Sequence, residues 1–246
     1  TLDNNRDVYK DANVQGNIEM NLAITDWLSL SNRIGVMNNS RTRKFTTGKF
    51  IHSDWAKNSA FVPEPWAWAN DYDGIDRAGT DILGSVTDRS TNENVINDDL
   101  QALLKKNFGS FENRLVLGYN LYQRNTRFIQ IGSNSVVVPD VYNISNRQGE
   151  LTGAEGTSLE RKFGYYADLT TSYNKWITLN ATFRNDNTSR FYKAGRPKNN
   201  WSYNYYGAAL AFVVTEAFPG LSGKFLNYFK LRTSYNKNGN DNLPIY

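Results

Sequence analysis

The run Asp71-Tyr72-Asp73-Gly74-Ile75-Asp76 sets alternate carboxylates around a glycine turn, the kind of hard oxygen donors that hold calcium. A full calcium-binding helix-loop-helix loop would place a bidentate acid six residues past the glycine, where Thr80 stands. A solvated turn of a long loop is the plainer reading. Trp55, Trp66 and Trp68 share that loop with Phe61 and Tyr72. Exposed indoles stack on sugar rings or seat a partner protein, but a long loop also needs a small core of its own. Pro63 and Pro65 stiffen the segment and favour the core reading.

Groups that would do covalent chemistry are scarce. Asp98 and Asp99 are adjacent, and neighbours on a strand point to opposite faces, so they cannot share a substrate. Glu150 and Glu155 sit in a glycine-containing loop without a positioned partner. His52 is the single histidine and reads as an exposed loop residue. The absence of cysteine removes disulfides, thiolate zinc sites and cysteine nucleophiles. Neither a G-x-S-x-G elbow nor a phosphate-binding glycine loop occurs. The expectation is a non-enzyme, with no catalytic, cofactor-binding or metal-binding residue assigned and substrate-binding residues unknown. The formal charge is 28 − 24 = +4. Arg41, Arg43 and Lys44 form the densest basic cluster and read as a surface loop rather than a phosphate track.

The elements that position these residues follow from period-two alternation along the 246-residue chain. Ile18, Met20, Leu22 and Ile24 face away from Asn17, Glu19 and Asn21. Leu28, Leu30, Ile34 and Val36 alternate with Ser29, Ser31 and Arg33. A weaker third run covers about 95–108. Phe111, Leu115, Leu117, Tyr119 and Leu121 make the fourth. Phe163 to Tyr173 and Ile177 to Phe183 repeat the scheme, followed by runs over about 203–216 and 229–236. Eight antiparallel strands are expected. The turns Thr25-Asp26, Gly109-Ser110 and Asn174-Lys175 are tight, and Ala217–Asn227 is moderate. Long connections cover Thr46–Asn94, Ser133–Leu159 and Tyr192–Asn200. Short and long connections alternate, as in an outer-membrane β-barrel with short periplasmic turns and long external loops. Several runs keep their alternation for ten residues or more, the length of a tilted membrane strand, whereas soluble strands run about 5–6 residues. The longest apolar run, Ala208 to Val214, is too short for a membrane helix. Tyr119, Tyr173, Trp27 and Trp176 near strand ends fit interfacial aromatic girdles. On the polar face, Arg33, Arg114, Arg184 and Arg232 with Glu112, Asp168 and Glu19 are expected to form cross-strand ion pairs and contacts to a plug.

Three segments carry a resemblance. Phe229-Lys230-Leu231-Arg232-Thr233-Ser234-Tyr235-Asn236-Lys237-Asn238-Gly239-Asn240, with Pro244 and Tyr246, resembles the L-K-L-R-x-S-Y-G-x-T-G-N motif of SusC/RagA-type TonB-dependent outer-membrane transporters. Arg184-Asn185-Asp186-Asn187-Thr188-Ser189-Arg190-Phe191 resembles the same family's R-x-D-x-S-S-R-F. Tyr205 to Glu216 stands where the family has F-P-S-x-S-x-x-W-x-x-S-E. Asn236 and Asn238 replace Gly and Thr, Thr188 replaces Ser, Tyr206 and Gly207 replace Pro and Ser, and Phe212 replaces Trp. The match is tight over about 160–246 and rests on strand rhythm before that.

The resemblance implies an all-β, antiparallel transmembrane outer-membrane β-barrel, with 1–246 supplying about eight strands of a plugged barrel of about 22. It implies a plug domain not present in this chain, TonB as the energy-coupling partner through that missing part, and no cofactor. It also implies a SusD-like surface lipoprotein as lid, import of oligosaccharides or peptides, and the outer membrane of a Gram-negative, Bacteroidetes-like cell, with outer-membrane lipid around the barrel. The opening Thr1-Leu2-Asp3 lacks the features of a signal peptide, so a processed or internal piece is expected. A secreted β-sandwich carbohydrate-binding module and a complete small structural barrel are the alternatives. Hairpin parity places the three long connections outside the cell and the turns in the periplasm. Protease added to intact cells carrying the full-length protein is therefore expected to cut near Lys57 or Arg77 before Lys175. A first cut at Lys175 with the outer membrane sealed inverts the topology.

Overall fold

The computed structural model describes residues 4–53, 80–195, 197, 201–223 and 225–239. Trp55, Phe61, Trp66, Trp68 and the Asp71–Asp76 run lie outside the described residues. Among the described residues eight strands form: β1 (Arg6–Thr25), β2 (Leu28–Thr47), β3 (Ser85–Phe108), β4 (Phe111–Ser133), β5 (Thr152–Tyr173), β6 (Ile177–Thr188), β7 (Ser202–Val213) and β8 (Lys230–Lys237). They make one sheet in the order β1 to β8, each strand beside its sequence neighbours. A single sheet rules out the sandwich, and β1 and β8 do not pair to close a small barrel within this chain. The fold is an antiparallel outer-membrane barrel wall. No described helix is long and apolar enough to cross a membrane.

Contacts divide the chain into two compact units. The first comprises Thr1–Asn13, Asn39–Asn92 and Arg127–Thr157, and the second Val14–Asn38, Glu93–Thr126 and Ser158–Tyr246.

The second unit carries the apolar band. Leu22, Leu100, Leu117, Leu169, Phe183, Leu210 and Tyr235 all keep more than a third of their surface exposed on one face. In water that face would aggregate; in lipid it needs no cover. Rings edge the band on both sides. Next to the tight turns, Phe111 packs on Tyr173 at 4.8 Å, Tyr173 on Trp176 at 5.5 Å and Trp176 on Phe212 at 5.4 Å. Farther along, Tyr119 meets Tyr165 at 5.5 Å and Tyr206 meets Tyr235 at 6.5 Å. From Phe111 to Tyr119 a strand tilted by about 40° climbs on the order of 20 Å, close to the apolar height of such barrels.

Turn chemistry sets the register. Asn174 and Lys175 both take positive φ (44° and 64°), the backbone of a two-residue type I′ hairpin turn. Gly109 at φ 57° serves the β3–β4 turn. The first turn sits one residue later than expected, at Asp26-Trp27, because the Thr25 hydroxyl accepts from the Leu28 amide at 3.1 Å and ends β1 there. The β7–β8 connection is longer than expected. It holds helix α1 (Val214–Ala217) and a 3₁₀ turn at Pro219–Leu221, so β7 stops at Val213.

In the first unit the strands outrun the sequence reading. β1 and β2 have 20 residues each and β3 has 24. Residues 85–94 and 152–159, expected in loops, are strand. Their sequences are polar on both faces, which hides the period; the backbone ladder continues there, and ion pairs between neighbouring strands accompany it. Arg41 bonds Asp11 at 2.7 Å, Arg43 bonds Asp7 at 2.8 Å and Lys44 reaches Asp88 at 3.0 Å. The basic cluster thus lies on β2, not in a loop.

Two departures from the family pattern face one another. Gly207 on β7 is directly opposite Asn236 on β8, and a Cβ at 207 would run into the Asn236 side chain. An Asn where the family has Gly is accommodated by a Gly where the family has Ser. Gly207→Ser is expected to destabilise the full-length barrel, and adding Asn236→Gly to recover much of the loss. A double-mutant cycle in denaturant should give a coupling of about 0.5–3 kcal/mol. Additive effects would mean the two positions do not share space.

Candidate functional site: a charged cavity on the polar face

The second unit contains a cavity of about 460 Å³ on the face opposite the apolar band, lined among others by Arg124, Glu160, Lys162, Arg184, Asp186 and Arg190. Five strands, β3 to β7, and one turn line it. Thr188 ends β6, and its hydroxyl accepts from the Arg190 amide at 3.2 Å, capping the 3₁₀ turn Ser189–Phe191. The Arg161 amide donates to the Ser189 hydroxyl at 2.9 Å, tying that turn to β5. The turn carries Arg190 back over β5. There its guanidinium binds Glu160 with two bonds, Nε to Oε1 at 2.6 Å and Nη2 to Oε2 at 3.1 Å. Lys162 adds a contact to the same carboxylate at 3.2 Å.

Glu160 is only 2% exposed. It lies three residues before the alternating run Phe163–Tyr173, outside the part of β5 that carries the apolar band. The Arg190 guanidinium holds its carboxyl below the ordinary glutamate value, against the opposing push of burial, with Lys162 assisting.

Next to it, Arg184 donates to Asp186 at 2.7 Å, and the Tyr205 hydroxyl donates to the same Asp186. Arg184 also lies over the Tyr166 ring at 5.4 Å. The Tyr166 hydroxyl donates to Asp99 at 2.9 Å, and its ring covers Gly118, where any Cβ would collide with it. Phe191 packs edge-on to Tyr203 at 5.6 Å, and Tyr203 stacks on Tyr205 at 5.6 Å. Arg124 meets Glu93 at 3.1 Å. The segment Arg184 to Phe191 therefore acts as one packing unit in which Arg184, Asp186, Thr188, Arg190 and Phe191 each have a partner.

The other residues singled out from sequence fall as follows. Arg33 pairs with Glu19 at 2.7 Å, a cross-strand bridge as expected. Arg114 approaches Asp168 at only 4.0 Å. Arg184 pairs within its own strand rather than across strands. Arg232 and Glu112 form no ion pair among the described residues. Asp98 accepts from Asn32 at 2.6 Å while Asp99 accepts from Tyr166 and Gln101, so the two carboxylates have separate surroundings. Glu155 is not an unpartnered loop residue; it sits on β5 and pairs with Arg127 at 2.8 Å. Glu150 stays in the exposed connection before β5. His52 is half-buried rather than exposed, with its ring edge-on to Phe50 at 4.7 Å and its amide donating to Asp81 at 2.8 Å. Sequence reasoning missed Glu160, which the R-x-D-x-S-S-R-F resemblance would have flagged only through a partner for its second Arg.

No protein-family profile matches the chain, and no curated protein sequence matches it. Solved structures do. The fold matches a chain in a structure of the RagAB peptide transporter, with 14% identity and a TM-score of 0.72 over 96% of this chain and 24% of that one. The RagAB peptide importer in its open-open state gives 15% identity and 0.69 over 94% and 22%. Its closed-closed state gives 16% and 0.66 over 94% and 23%. The chain has the fold of a wall segment of those transporters and spans less than a quarter of their length.

Replacing Glu160 by Gln leaves Arg190 and Lys162 without their shared anion and is expected to cost about 1–3 kcal/mol at neutral pH. Because the folded carboxyl titrates below the unfolded one, its contribution is complete above about pH 4.5 and is lost as pH falls through the lowered value. Denaturant titrations of the full-length wild type and E160Q should therefore converge on acidification. A gap that persists unchanged at low pH would place the effect in packing rather than charge.

Proposed function

We propose that this chain is part of the barrel of a TonB-dependent outer-membrane importer of nutrients. It supplies eight consecutive strands of a larger barrel of about 22, with the plug and the TonB-contacting segment carried elsewhere in the polypeptide. The observation that carries this reading is the match to RagAB along 96% of the chain at a TM-score of 0.72. Two further features support it: an uncovered apolar face edged by aromatic rings, and a charged cavity on the opposite face, which lines the lumen in this reading. A SusD-like surface lipoprotein closes the outer mouth, and the cell is Gram-negative and Bacteroidetes-like. The cargo is an oligosaccharide or a peptide. The protein binds and passes its cargo without changing it covalently.

The test is uptake by cells with the gene deleted in frame, supplied with labelled oligosaccharides or labelled peptides, with and without depletion of TonB. Loss of concentrative uptake of one cargo class in both the deletion and the depleted strain is expected. Uptake of both classes at wild-type rate in the deletion strain would overturn the reading.

A further inference from the structure

In the importer reading, on which this site rests, the apolar band of the second unit faces lipid. We propose that the polar belt just past the band's rings, on the side away from the tight turns, docks the phosphate of a membrane lipid at Arg161. The register places the belt. Phe163 stands opposite Asn187, Tyr165 opposite Asn185, Asn185 opposite Asn204 and Tyr206 opposite Lys237. Opposed residues share a face, as do residues two apart along a strand, so Arg161 shares the face of Phe163 and Gln123 that of Leu121. Gln123, Arg161, Asn187, Asn185, Asn204 and Lys237 thus continue the band's face beyond the rings of Tyr119, Tyr165, Phe183 and Tyr206. The amides bond one another, Asn187 donating to Asn185 at 2.9 Å and Asn185 to Asn204 at 2.6 Å.

Both charged members of the belt are cations. Glu112, Glu160, Asp168 and Asp186 stand at even positions of β4 to β6, whereas the band takes the odd ones, and β7 and β8 carry no carboxylate. Glu155 at an odd position of β5 and Asp98 on β3 are already bonded, to Arg127 at 2.8 Å and Asn32 at 2.6 Å. Arg161 is exposed, and its Nε donates to Gln123 Oε1 at 2.9 Å, while its two Nη groups have no partner among the described residues. A guanidinium held in this way offers a phosphate its remaining N–H groups with little left to order. Phe163, 40% exposed and edge-on to Tyr165 at 6.1 Å, supplies apolar surface beside it. A free anion gains the charge alone; a lipid gains the charge and, for its chains, the apolar surface. Lys237, over the Tyr206 ring at 5.9 Å, adds a second cation at the belt's far end.

Native mass spectrometry of the purified full-length protein in detergent tests this with dimyristoyl phosphatidic acid, dimyristoyl phosphatidylcholine and inorganic phosphate. Phosphatidic acid is expected to be retained about tenfold better than the choline lipid with the same chains. Arg161→Gln should reduce that retention about tenfold and Arg161→Lys should recover part of it, which separates loss of charge from loss of fold. Millimolar inorganic phosphate should leave the lipid in place. Equal retention of the two lipids, retention unmoved by Arg161→Gln, or a loss that Arg161→Lys shares in full overturns the proposal. So does displacement by inorganic phosphate, which would make the belt a free-anion site. Dissociation of paired copies in Arg161→Gln with lipid retention unchanged overturns it too, and would assign the belt to a protein neighbour. The importer reading fails separately: it falls if the deletion strain takes up both cargo classes normally, whatever lipid the purified barrel retains.

Discussion

A strand in the hydrocarbon of a membrane has no water to satisfy its amides and carbonyls, so each must bond to a neighbouring strand. Everything else in this structure follows from that requirement. It forces a continuous ladder from β1 to β8, and in this sheet every strand lies beside its sequence neighbours. Once the ladder exists, side chains alternate between two faces. One face must match lipid, which accounts for the leucines and rings left uncovered there. All polar chemistry is then confined to the other face and to the connections.

Confinement explains how the charged residues are used. On the polar face, groups of opposite sign meet from adjacent strands or turns, as Arg33 meets Glu19 and Arg190 meets Glu160. Partly exposed pairs contribute little individually, whereas the nearly buried Glu160 depends on its two cations. The 3₁₀ turn at Ser189–Phe191 matters for this reason. It redirects the chain at the end of β6 so that an arginine reaches a carboxylate 30 residues earlier in sequence. The aromatic residues on this face fill a second need by covering small residues such as Gly118, where a strand without a side chain would leave a gap.

The resemblance to an R-x-D-x-S-S-R-F segment gains a physical account from these contacts. Arg184 and Asp186 alternate onto the same face of β6 and bond each other, Thr188 caps the turn, and Phe191 packs on Tyr203. The spacing is that of a strand running into a capped turn. The pattern describes how a barrel strand ends and how its charges are anchored.

The sequence by itself determined the strand class, the two faces, the tight turns at Gly109 and Asn174, and the strand portions nearest those turns. These are local properties: alternation and turn chemistry are read within about ten residues. The exposed lipid face was legible for the same reason, since lipid imposes a period that water does not erase. Only the tertiary structure decided how far β1, β2 and β3 continue, because polar residues on both faces carry no period and their pairing depends on partners far along the chain. Arg43 finds Asp7 across 36 positions and Lys44 finds Asp88 across 44. The same holds for His52, whose amide donates to Asp81, for Glu155 against Arg127 and for the cavity around Glu160. Charge composition tells that ions are present, but register decides which of them meet, and register is a property of the assembled sheet.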